Sequence, residues 1–94
     1  MTGNQQVRYR VLFSGNVQGV GFRYTTSAVA KRHAVSGYVR NLPNGQVELV
    51  AEGSLDELVR FLAALRERMQ DFIHDVKIDQ SQASGEFSSF TIRT

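Results

Sequence analysis

An alternating apolar run that empties into three glycines within seven positions constrains this chain more than any other feature. Val7, Tyr9, Val11 and Phe13 alternate with Arg8, Arg10 and Leu12 up to Ser14, the period of a strand with one buried face. Gly15, Asn16, Val17, Gln18, Gly19, Val20 and Gly21 follow, and Phe22 and Arg23 then open a stretch to His33 that reads as a helix. Phe22, Thr26, Val29, Ala30 and His33 fall near one face of it. A strand that passes through a glycine-rich loop into a helix N-terminus leaves backbone N–H groups around a concavity, which suits an anion. Arg23 at its mouth adds a planar, permanently charged fork able to hold two phosphate oxygens at once. The spacing alone suits a small phosphate site and suits a plain tight turn equally well.

Two further strands are expected at Gly37-Tyr38-Val39-Arg40-Asn41 and from Gln46 to Glu52, joined as a hairpin through Pro43-Asn44-Gly45. Ser54, with Glu57 three residues on, predicts a capping box at the start of a second helix. Leu55, Leu58, Val59, Leu62, Leu65 and Met69 mark its buried stripe, read as core packing. Val76-Lys77-Ile78 begins another strand, Ser81 to Ser89 reads as a polar surface turn around Gly85, and Phe90-Thr91-Ile92 gives a short last strand. The order β-α-β-β-α-β plus a short C-terminal strand predicts an α+β, ferredoxin-like fold, an antiparallel sheet with two helices on one face. Residues 1–6 read as a flexible polar tail and residues 7–94 as a single domain. That architecture serves enzymes, RNA binders and sensing modules alike, so function must come from particular residues.

Composition narrows the chemistry. The chain has no cysteine, which excludes thiolate ligands and nucleophiles, and His33 and His74 lie far apart, so no metal centre is expected. No apolar run approaches the roughly 20 residues of a membrane span, and Met1 to Gln6 lacks a signal-peptide pattern, so a cytoplasmic protein is expected. Arg8, Arg10, Arg23, Lys31, Arg32 and Arg40 all precede Glu48, the first of nine acidic residues. Such asymmetry suggests a field that draws anions toward the first half, or simply solvated charges that folding intermixes.

Two motifs together point further. Gly15-x-Val17-Gln18-Gly19-Val20-x-Phe22-Arg23 resembles the first signature of the acylphosphatase family. Gly37-Tyr38-Val39-Arg40-Asn41, then Gly45-x-Val47 and Gly53, resembles the second, in order and with matching spacing. The resemblance implies hydrolysis of acyl phosphates to carboxylate and inorganic phosphate, with no metal or cofactor. It implies that Arg23 and Asn41 are catalytic, Arg23 on the phosphoryl oxygens and Asn41 orienting the attacking water, with the loop backbone from Gly15 to Phe22 binding phosphate. A monomer acting on small molecules, without nucleic acid or membrane partners, is expected. An alternative is an RNA-binding module, because Gln18 to Tyr24 superficially resembles an RNP1 pattern; Val20 stands where that pattern wants an aromatic. A sensing module that keeps the cradle without turnover is another alternative. The chain departs from the family where a Gly-Pro pair is frequent and Met69-Gln70-Asp71-Phe72 stands instead. The Gln18 side chain could cap or brace the loop and has no assigned role, Tyr24 and Tyr38 read as packing, and His33 and His74 as a helix-end charge and a loop residue.

Overall fold

The computed structural model describes residues 5–94. Five strands and two helices follow in the order β1 (Gln6–Gly15), α1 (Phe22–Ala30), β2 (Ser36–Asn41), β3 (Val47–Ser54), α2 (Leu55–Arg68), β4 (Ile73–Gln82) and β5 (Phe90–Ile92). The strands form one sheet in the order β4-β1-β3-β2-β5. β1 pairs antiparallel with both β3 and β4, and β2 pairs antiparallel with β3. β1 and β2 are therefore parallel to each other with β3 between them, the split crossover of a ferredoxin-like fold. The sheet is mixed rather than antiparallel throughout, because β5 runs parallel to β2, with Gly37 opposite Phe90. Four residues of the sequence-predicted tail lie outside the described residues, but Gln6 is already in β1, opposite Ser54.

The period-2 faces sort as the alternation predicts. Val11 and Phe13 of β1, Val39 of β2 and Val47, Leu49 and Ala51 of β3 share one core with Phe22 and Val29 of α1 and Leu58, Phe61, Leu62 and Leu65 of α2. Both helices thus cover the same face. α1 is shorter than expected: it ends at Ala30, and Arg32 N and His33 N bond back to Val29 O and Ala30 O in tighter turns. The α2 stripe also differs, since Leu55 and Val59 are exposed (45% and 51%) and Phe61 takes the core position instead. Ser54 Oγ does accept from Glu57 N at 3.2 Å, but the reciprocal half of the capping box is absent among the described residues. The Glu57 carboxylate instead accepts from Ala34 N at 3.3 Å and meets His33 Nδ1 at 3.2 Å, tying the end of α1 to the start of α2. Tyr24, expected to pack, is 78% exposed. No helix among the described residues is long and apolar enough to cross a membrane.

On the opposite sheet face, charge replaces hydrocarbon. Glu48 is buried beneath Arg10 and Arg40, whose Nε atoms donate to its carboxylate at 2.8 and 2.6 Å. Glu52 accepts from Arg8 Nε at 2.7 Å and from Ser84 N, Ser84 Oγ and Gly85 N, each at 2.9 Å. These bonds clasp the connection between β4 and β5 onto the sheet, and Arg93 lies 3.9 Å above the Tyr38 ring centroid beside it.

Candidate active site

The sheet register brings both sequence motifs to one end of the molecule. Phe13 near the end of β1 and Asn41 at the end of β2 both lie opposite Val47, the first residue of β3. The glycine loop therefore leaves the sheet beside the hairpin that carries Asn41, then turns into α1. Asn41 shares the helix-covered face with Val39, by strand alternation.

Local sequence explains the loop's path. Gly19 (φ 79°) and Gly21 (φ 77°) are left-handed, whereas Val20 between them is not. Alternation of this kind turns successive N–H groups toward one side, and a side chain at either glycine would strain it. Gly21 is also the N-cap of α1, with no side-chain cap and no acidic residue in the first turn. Among the described residues, the amides of residues 17–24 donate to no protein acceptor. The loop is anchored at its flanks: Asn16 N donates to Phe72 O at 2.9 Å, and Thr25 N to Gly21 O at 3.0 Å. Val17 and Phe22 are buried and hold it against the core. Met69-Gln70-Asp71-Phe72, the stretch that departs from the family pattern, thus supplies a loop anchor through Phe72, which packs partly buried on the core.

Arg23 is half-buried in the first turn of α1 and has no ion pair or hydrogen bond among the described residues. That placement sets a cation at the positive end of a helix dipole, which is unfavourable while no anion is present. The Asn41 carboxamide is likewise half-buried and unbonded among the described residues. The turn beyond it is tight: Gly45 N donates to Leu42 O at 3.1 Å with Pro43 at the position it favours, and Leu42 N closes the hairpin on Gln46 O at 2.8 Å.

Three contacts here had no sequence signal. Gln18 Nε2 donates to Leu42 O and Gln46 O, both at 2.8 Å, and Gln46 Nε2 donates to Ser14 Oγ at 2.9 Å. They are tertiary bonds between residues 24 to 32 apart in the chain, and no local periodicity encodes them. Among the described residues no cluster of three or more His, Cys, Asp or Glu could hold a metal ion.

Comparison with known proteins decides the family. The family model named Acylphosphatase matches residues 9–92. The chain belongs to the acylphosphatase family. It is 38% identical over 87 residues to an acylphosphatase of Bacillus licheniformis, an alignment covering 92% of this chain and 97% of that one. An acylphosphatase of Methanospirillum hungatei is 41% identical over 88 residues, covering 92% of this chain and 96% of its own. The crystal structure of acylphosphatase from Bacillus subtilis superposes with a TM-score of 0.84 at 30% identity, covering 94% of this chain and 99% of that one. The sequence resemblance and the observed fold therefore agree over nearly the whole chain.

Proposed function

We propose that this chain hydrolyses the carboxyl–phosphate bond of acyl phosphates, with the phosphoryl group held by the loop backbone from Gly15 to Phe22 together with Arg23. The observation that carries the site assignment is the run of unbonded amides at residues 17–24 beside an arginine with no carboxylate partner among the described residues. The donors and Arg23 both lie where α1 begins, and a dianionic phosphoryl group would satisfy both.

The reaction needs little else. Water attacks phosphorus, the bond from phosphorus to the acyl oxygen breaks, and the electron pair leaves with the carboxylate. A carboxylic acid of pKa near ~4 departs as the anion, so no general acid is required at the leaving group. Asn41 orients the water through a carboxamide that both donates and accepts, and a phosphoryl oxygen takes the proton that water loses. The amides and Arg23 stabilise charge on the phosphoryl oxygens in the transition state. All these groups come from one chain, and the reading extends to a cytoplasmic monomer working on small-molecule acyl phosphates.

The test is hydrolysis of benzoyl phosphate in EDTA, run beside an aryl phosphate monoester. Rapid loss of the first with the second untouched is expected, because only the anhydride has a leaving group that departs unprotonated. Phosphate binding without turnover of benzoyl phosphate would replace the enzyme with a phosphate-sensing module.

A further inference from the structure

Gln18 sits in the glycine loop, yet its side chain serves the neighbouring hairpin. Its Nε2 lies 2.8 Å from Leu42 O and 2.8 Å from Gln46 O. Both partners are carbonyls, so the two amide protons serve one each and the partners themselves fix which way the carboxamide faces. Gln46 O also accepts Leu42 N, the bond that closes the hairpin. Leu42 directly follows Asn41, so the Gln18 amide grips the backbone immediately beyond the residue assigned to the attacking water. A second tie, from Gln46 Nε2 to Ser14 Oγ at 2.9 Å, joins the same turn to the end of β1.

We propose that Gln18 is a positioning residue, whose two-point amide clamp holds the Asn41 hairpin in register with the phosphate loop and so sets the approach of water to phosphorus. The proposal rests on the hydrolysis reading above. Both donors of the Gln18 amide are committed to the hairpin, leaving none for phosphoryl oxygens. The loop has its own supports, in the Asn16–Phe72 and Thr25–Gly21 bonds and the buried Val17 and Phe22. Loss of the clamp therefore spares the cradle and loosens its alignment with Asn41.

A double-mutant cycle of Gln18→Met and Asn41→Ala tests this, read by kcat for benzoyl phosphate and by affinity for inorganic phosphate. Methionine matches the length of glutamine and has no N–H to offer. Gln18→Met should lower kcat by roughly 10²-fold, the scale of a reacting group displaced by about an ångström. Asn41→Ala should also lose most turnover, and both variants should retain phosphate affinity. In the Asn41→Ala background the Gln18 change should cost less than about twofold, because the group it positions is gone. Equal losses in both backgrounds, or phosphate affinity that falls in step with rate, would overturn the proposal, since Gln18 would then only shape the loop. Amide exchange at Leu42 needs no turnover and should quicken roughly 10-fold in Gln18→Met; unchanged exchange would overturn the clamp as well. Wild-type protein that leaves benzoyl phosphate intact would sink the hydrolysis reading alone, while Leu42 exchange still decides the clamp.

Discussion

Charge is handled in opposite ways on the open face of the sheet and at its loop end. On the open face, Arg8, Arg10 and Arg40 each meet a carboxylate, and the two central acceptors, Glu48 and Glu52, are only 3% and 4% exposed. At the loop end Arg23 meets none among the described residues, and the amides around it are unbonded. The first arrangement is complete and fixes structure. The second is incomplete, with like charge set against the helix dipole, and under the proposed reading an anion would complete it. The linear charge asymmetry is resolved by the same contrast. Three first-half arginines pair with Glu48, Glu52 and Glu86 of the second half, so no broad cationic field survives on that face. Of the three first-half cations without an ion pair among the described residues, Lys31 and Arg32 lie past the end of α1, and Arg23 alone stands at the loop.

The largest expected effect breaks the incomplete side. Arg23→Lys keeps the charge but replaces a two-point fork with a compact ammonium. Hydrolysis should fall by roughly 10²–10³-fold, nearly as far as in Arg23→Ala, and phosphate should bind poorly. The melting temperature should hold in both variants, because Arg23 makes no ion pair or hydrogen bond to lose among the described residues. Near-normal turnover by the lysine variant would show that charge alone suffices. Unfolding of both variants would make Arg23 a structural residue instead.

The second prediction breaks the complete side. Burial pushes the Glu52 carboxyl up, but the Ser84 and Gly85 amides, Arg8 and the Ser84 hydroxyl together outweigh it and hold the group at about 2 instead of 4.5. A depressed carboxyl pKa stabilises the fold above the unfolded value, and that contribution drains away as pH falls from 4.5 toward 2. Glu52→Gln should cost about 2 kcal/mol near neutral pH, because Arg8 and two amides lose a charged acceptor. The expected fall in melting temperature is roughly 10 °C. The gap from wild type should narrow with acid and nearly close near pH 2. Activity per folded molecule should not change, and a variant that loses turnover while still folded would join the two regions that the comparison separates.

This contrast also marks what a linear reading can reach. The loop was legible because glycine spacing, the helix start and Arg23 are local, and the two motifs fell into register once β1 and β2 flanked Val47. Strand and helix order were legible for the same reason, as periods of two and of 3.6. The parallel pairing of β5 with β2 was not, because three residues carry no sign of direction and the Glu52 clasp that delivers them is a long-range contact. Leu55 and Val59 failed as stripe residues because apolar character says only that a side chain can be buried, while the placement of α2 chose Phe61 instead. Gln18 was invisible as a clamp because its partners are main-chain carbonyls, which every residue has.

The smallest expected effect sharpens the comparison with an intermediate case, Glu57. Its carboxylate is held below the ordinary range by the His33 ring first and the Ala34 amide second, yet its side chain keeps 29% exposure. Water therefore competes for the bonds to Glu57, a competition from which burial shields Glu52, and exposed pairs of this kind contribute little. Glu57→Gln preserves the length and an acceptor oxygen while removing the charge, so it asks what the charge alone contributes to the junction of α1 and α2. The sign follows from the lowered pKa: any stabilisation is present above 4.5 and lost as the carboxyl protonates below it. A small loss of stability at neutral pH, vanishing in acid and leaving hydrolysis untouched, is expected from denaturant titrations at several pH values. A loss as large as that of Glu52→Gln would mean that exposure does not rank these carboxylates, and the open face would have no special claim to hold the fold together through charge.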